Sequence, residues 1–64
     1  MFDGPFFYVY RDNAGKWRWR LRAAGNHKII ADSAEGYVSK GGAEEAAARV
    51  QRDAPRALIV TEDS

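Results

Sequence analysis

Trp17-Arg18-Trp19-Arg20-Leu21-Arg22 alternates apolar and basic residues without a break. A period of two marks a β-strand with unlike faces, so Trp17, Trp19 and Leu21 share one side and Arg18, Arg20 and Arg22 the other. The indole side must be covered by the rest of the fold. On the opposite side the guanidiniums recur every ~7 Å, from a rise of about 3.3 Å per residue.

Upstream, Phe6-Phe7-Tyr8-Val9-Tyr10 has the aromatic and β-branched composition of a partner strand, and Asp12-Asn13-Ala14-Gly15 is turn chemistry. Loop length decides the faces, because a slip of one residue sends a whole side-chain set across the sheet. A three-residue loop, Asn13 to Gly15 with Gly15 left-handed, pairs Val9 with Trp19 and Phe7 with Leu21. A four-residue loop from Asp12 would put Phe7 and Val9 among the arginines. The shorter loop keeps the apolar residues together and is the one expected. It sets Tyr8 and Tyr10 beside Arg20 and Arg18.

Downstream, the Ala23 to Asn26 turn leads into a third strand over about Lys28 to Ala31. A Gly25-Asn26 loop sends Ile30 inward, a three-residue loop through His27 sends Ile29 and Ala31 inward, and the pattern leaves both open. Asp32 to Tyr37 is a connection in which Gly36 is expected at a backbone angle other residues avoid. Tyr37 is expected to anchor that loop against the start of a helix. Ser39 suits an N-cap, and Ala43, Ala46, Ala47 and Val50 follow at the spacing of an amphipathic helix. Glu44 and Glu45 are expected near its positive end and Arg49 and Arg52 near its negative end, with Glu45 and Arg49 as an i, i+4 pair. Pro55 ends the helix. Arg56 to Thr61 is apolar and β-branched enough for a last strand, and Glu62-Asp63-Ser64 is expected to fray. The order is β-β-β-α-β, an α+β fold with one helix on one face of an antiparallel sheet, in one domain over residues 1–64 with its core at about 6–61.

Sixty-four residues without cysteine cannot be stapled by disulfides or thiolate-bound metal, and a stripe of alanines buries little apolar area. A second copy of the chain is the remaining common source of stability, so a homodimer is expected. The formal charge of +1 hides an asymmetry. Between Arg11 and Lys28 six bases face Asp12 alone, whereas residues 29–64 hold seven acids and four bases. No apolar run approaches the ~20 residues of a membrane span, and Met1 to Pro5 lacks the pattern of a secretory signal. A cytoplasmic location away from membranes is the expectation.

The run Phe7-x-Val9-Tyr10-x-Asp12-x-x-Gly15-x-Trp17-Arg18-Trp19-Arg20-Leu21, followed by Ile29-Ile30-Ala31-Asp32-Ser33-x-Glu35-Gly36-Tyr37-x-Ser39-Lys40, resembles the YegP-like family of small bacterial and archaeal proteins. The likeness covers about Phe6 to Pro55. It implies a β-β-β-α-β unit, paired as tandem repeats or as identical subunits in one continuous sheet with exchanged C-terminal strands. With one unit, this chain is implied to be a homodimer. Two departures stand out. The turn after Ala23-Ala24 is longer than in similar sequences, and Ala47 stands where relatives tend to carry isoleucine. The resemblance carries no assigned biochemical activity.

Catalysis by acid and base needs titratable groups held in a cleft, and the one histidine, His27, falls in a hairpin turn. Ser33, Tyr37 and Ser39 lack a base at a spacing that marks a nucleophile's partner, and their types suit caps and turns. No acids cluster as metal ligands, so the reading is a non-enzyme without metal or cofactor. Ser39-Lys40-Gly41-Gly42 could hold an anion on free N–H groups, although it also reads as an ordinary cap beside a solvated lysine. The leading candidate is the face of Tyr8, Tyr10, Arg18, Arg20 and Arg22. It fits a binding or interaction module with a protein or nucleic-acid partner, and bases interleaved with rings suit single-stranded nucleic acid. The pI of 8.1 is below the ~9 of a dedicated nucleic-acid domain.

Overall fold

A computed structural model describes residues 3–62. The expectations for Met1, Phe2, Asp63 and Ser64 lie outside the described residues. The chain forms β1 (Phe6–Arg11), β2 (Trp17–Arg22), β3 (Ile29–Asp32) and α1 (Lys40–Asp53), and a 3-10 turn over Ala54–Arg56 follows. The three strands make one antiparallel sheet in the order β1-β2-β3.

The β1–β2 hairpin has the expected parity. Phe7 faces Leu21, Val9 faces Trp19 and Tyr8 faces Arg20, in a register unbroken from Phe6↔Arg22 to Arg11↔Trp17. Gly15, at φ +84°, supplies the left-handed residue that closes the loop. Asp12 completes it, because its Oδ1 accepts the N–H groups of both Ala14 and Lys16 at 2.9 Å. This short-range bonding by an aspartate is why the residue recurs in turns.

The second hairpin differs from both expected loops. Ala23 N–H donates to Lys28 O at 2.7 Å, so the loop holds four residues, with His27 left-handed at φ 59°. Arg22 then pairs with Ile29, but Leu21 pairs with Ala31. A bulge has inserted one residue, which restores Ala31 to the face of Leu21. Past β3, Ser33 keeps the strand attached to β2: its N–H donates to Trp19 O at 2.9 Å, and its buried Oγ accepts from Trp19 N–H at 3.2 Å.

Gly36 was expected to need a left-handed angle, and it has none; the positive-φ glycines are Gly15 and Gly25. Its requirement is steric. A Cβ there would stand 2.7 Å from Lys16 Cβ, so the loop can pass the hairpin only without a side chain. The close pass lets Tyr37 exchange two 2.8 Å backbone hydrogen bonds with Trp17, which extends the sheet to the helix start.

Ser39 caps α1, its Oγ accepting Gly42 N–H at 3.0 Å. The helix begins at Lys40, so Glu44 and Glu45 sit beyond its first turn, out of the strongest part of the dipole field. Among the described residues the ion pairs are Arg18–Asp12 and Arg52–Asp53, and the expected Glu45–Arg49 pair does not close. The helix lies across β1 and β2 and does not reach β3. Ala43 and Ala47, buried on its sheet side, are small enough to bring it down on Trp19, which packs edge-on against Phe7 at 5.5 Å.

That core is thin. Trp19, Ala43 and Ala47 are its buried apolar residues among those described, and no large side chain is fully enclosed. The expected fourth strand is not formed within the chain: after the 3-10 turn, Ala57 is extended, and no ladder takes up residues 57–62. Leu58, Ile59 and Val60 are 87%, 97% and 85% exposed. The accessible surface of 5338 Å² exceeds the ~4,100 Å² usual for a folded monomer of this mass by roughly 1,200 Å². The radius of gyration, 13.3 Å, likewise exceeds the ~10.7 Å of a compact 64-residue chain.

Candidate binding face

The sheet face away from the helix carries two columns. β1 contributes Phe6, Tyr8 and Tyr10, and directly across from them β2 contributes Arg22, Arg20 and Arg18. Strand alternation alone produces this ladder, since the same register that buries Trp19 turns every second residue outward. All five candidate residues, Tyr8, Tyr10, Arg18, Arg20 and Arg22, are therefore brought together.

Each is held by neighbours within the chain. The Tyr8 and Tyr10 rings stack at 5.8 Å with a 12° tilt, and the Arg20 guanidinium lies 4.5 Å over the Tyr10 ring. Cation–π contact of this kind is worth about 0.5–1 kcal/mol at an exposed site. Arg18 Nε donates to Asp12 Oδ2 at 2.6 Å. That hydrogen bond, joined by those from the Lys16 and Ala14 N–H groups, holds the Asp12 carboxyl below its ordinary pKa, and raises that of Arg18. Arg22 donates to His27 O at 2.9 Å, and Phe6 meets the His27 ring edge-on at 5.4 Å. Asp32 of β3 stands opposite Arg20 in the register.

The face is consequently a pre-set surface of rings and guanidiniums, with Asp12 and Asp32 offsetting part of its charge. It can stack and donate hydrogen bonds. Asp12 is the residue that sequence reasoning placed only in the turn. Its second role, fixing Arg18, depends on the hairpin curling the aspartate back over the sheet. Asp32 was out of reach of pattern because the bulge in β3 decides which arginine it meets.

The Ser39 to Gly42 segment lies at the start of α1. Gly42 N–H is occupied by Ser39 Oγ, and Ala43 N–H donates to Ser39 O at 3.2 Å, an ordinary capping arrangement. Lys40 and Gly41 are exposed. Ser33 is buried in its bonds to Trp19, and Tyr37 is tied to Trp17. Among the described residues no His, Cys, Asp and Glu side chains gather as metal ligands, and no helix is long and apolar enough to cross a membrane.

Comparison with known proteins agrees with this fold. Residues 12–60 match the family model described as a domain of unknown function, DUF1508. A UPF0339 protein of Neisseria meningitidis serogroup B is 57% identical over 35 residues, covering 55% of this chain and 59% of that protein's length. A UPF0339 protein of Methanosarcina acetivorans is 46% identical over 54 residues, which are 84% of this chain and 90% of the relative. The NMR solution structure of a protein from Haloferax volcanii superposes with a TM-score of 0.82 at 41% identity, covering 95% of this chain and all of that one. These bacterial and archaeal relatives carry no assigned biochemical role, and with the whole hairpin, loop and helix aligned the chain belongs to the DUF1508 family, the YegP-like group its Trp-Arg-Trp-Arg-Leu strand resembles.

Proposed function

We propose that the protein acts in the cytoplasm as a small non-catalytic homodimer, its C-terminal strands exchanged, that binds a protein partner on the face of Tyr8, Tyr10, Arg18, Arg20 and Arg22. The observation that carries the reading is the self-supported ladder. Tyrosine and arginine dominate the energetics of protein interfaces, and here their conformations are set before any partner arrives, which lowers the entropy cost of binding. The roughly 1,200 Å² of surplus surface supports the dimer, since a standard interface buries about 800 Å² per partner.

Single-stranded nucleic acid is the second reading, favoured by the parallel Tyr8 and Tyr10 rings on which a base could continue the stack. Against it, Asp12 already satisfies Arg18. Fluorescence anisotropy with single-stranded RNA and DNA separates the two. Binding at low salt that falls steeply with added salt, and disappears in an Arg18→Ala, Arg20→Ala, Arg22→Ala variant that still folds, would establish the nucleic-acid reading. No binding at low salt removes it. For the protein reading, whatever co-purifies with the native dimer should be lost from Tyr8→Ala with the dimer intact. Retention there would exclude this face.

A further inference from the structure

The three arginines of the open face are not equally satisfied. Arg18 Nε donates to Asp12 Oδ2 at 2.6 Å and a terminal N–H of Arg22 donates to His27 O at 2.9 Å, so the outer two each hold one oxygen of the chain. Arg20, between them, holds none. Its guanidinium lies 4.5 Å over the Tyr10 ring, and its Nε is buried with no hydrogen-bond partner among the described residues. Asp32 stands opposite it in the register, yet among the described residues the ion pairs are Arg18–Asp12 and Arg52–Asp53. A guanidinium carries five N–H donors in a rigid fork and stays charged, so the centre of the row is a cation without an acceptor.

What the row lacks is a negatively charged oxygen pair that fits the fork. A carboxylate supplies it through two parallel hydrogen bonds. The neighbours set the spacing. Arg18, Arg20 and Arg22 span ~13 Å at about 3.3 Å per residue, and an extended peptide laid along β2 turns every second side chain toward the sheet at the same rise. Carboxylates two residues apart therefore meet successive guanidiniums, while the residues between them point away. Tyr8, half exposed and opposite Arg20, borders the row and offers its ring to the stems of those acids. The surrounding charge agrees, since from Arg11 to Asp32 six bases stand against Asp12 and Asp32. The same two aspartates disfavour a phosphodiester strand, which carries a charge at every nucleotide and would lie against both. The Tyr10 ring is also engaged already, by Tyr8 and by Arg20.

Resting on the protein-binding reading above, we infer that the partner presents an extended acidic segment, with one carboxylate seated on the Arg20 fork and others two residues to either side on Arg18 and Arg22. Arg20 is the anchor, because none of its side-chain donors is committed elsewhere, whereas each neighbour has one in use.

NMR titration of the isotope-labelled full chain at low salt tests this. Two peptides of one composition, Ac-Thr-Glu-Thr-Glu-Thr-Glu-Thr-NH2 and the reordered Ac-Thr-Thr-Glu-Glu-Glu-Thr-Thr-NH2, are compared with an oligothymidylate of equal charge. The alternating peptide should shift the Arg20 side-chain N–H and the Tyr8 ring, and should bind roughly 5-fold or more tightly than the reordered one, because only it meets three forks at once. Arg20→Lys, shown by its melt to be folded, keeps the charge and loses the fork, and should weaken the alternating peptide by roughly 10-fold. Equal affinity of the two peptides, or of Arg20→Lys and wild type, would overturn the inference and leave the protein-binding face standing. So would a co-purified partner that is lost from Tyr8→Ala but meets the face without acidic residues. Shifts confined to α1, or no shift with either peptide, would overturn it as well. Tighter binding of the oligothymidylate than of both peptides would overturn it together with the protein reading.

Discussion

The hairpin and the C-terminal arm are built from similar material and end in opposite conditions. Phe6 to Arg11 and Ala57 to Thr61 are both rich in the bulky apolar side chains that favour strands. The first is a strand because a tight loop delivers β2 to it in register, closed by Gly15 and by Asp12 holding two backbone N–H groups. The second has an equally suitable composition and no edge delivered to it by the chain. Strand propensity measures fit to a half-buried pleated surface, and without such a surface the propensity of residues 57–61 makes no strand.

If the contrast is right, stability belongs to the hairpin and association to the arm. Trp19→Ala gives the largest effect, because Trp19 is the one large buried apolar side chain among the described residues and packs edge-on against Phe7. Its loss should cost about 3–5 kcal/mol and leave a chain of this size largely unfolded in thermal or urea melts. An unchanged melt would mean that the indole face is not the core. Gly36→Ala is the intermediate case. The added methyl meets Lys16 Cβ, which is fixed to the backbone and cannot swing aside. A cost of about 1–3 kcal/mol is expected, of the size seen for overpacking, with weakened exchange protection of the Trp17 and Tyr37 amides. Equal protection in the variant would show that the loop can step away freely.

The same contrast separates what was legible in the sequence from what was not. β1, β2 and the shared face of tyrosines and arginines could be read because Trp17 to Arg22 alternates and only one loop length keeps Phe7 and Val9 with the indoles. The third strand could not, because Ile29 and Ile30 are alike to any pattern, and the bulge changes parity where no residue announces it. Gly36 was recognised as special for the wrong reason: its constraint comes from Lys16, twenty residues away, and not from its own backbone angle. That Tyr8, Tyr10, Arg18, Arg20 and Arg22 share one sheet face was legible, but the carboxylates beside them were not. Asp12 acts through the curl of the loop and Asp32 through the bulged register. The fourth strand was legible as a composition, but residues 57–62 join no ladder of the sheet.

The smallest effect sharpens the hairpin side of the comparison and is read by pH. Asp12 titrates below its ordinary 3.8 in the folded chain, chiefly through the hydrogen bond from Arg18, with the N–H of Lys16 and Ala14 adding to it. The folded state therefore binds this proton less tightly than the unfolded chain does. Its contribution to stability is complete above about pH 4 and drains away as pH falls from there through the folded value. Asn at position 12 keeps an oxygen for the two backbone N–H groups but turns the charge pair with Arg18 into a neutral contact. Asp12→Asn should lower the melting temperature slightly at pH 7, and the gap should close as pH falls from about 4 through the folded value. The arm, which contributes nothing to this pair, should leave the same acid limb in Leu58→Asp with Val60→Asp once the two added carboxylates are allowed for. A gap between wild type and Asp12→Asn that persisted unchanged below the folded value would assign the effect to the turn's geometry and not to its charge, and the hairpin would then owe its closure to the two backbone bonds alone.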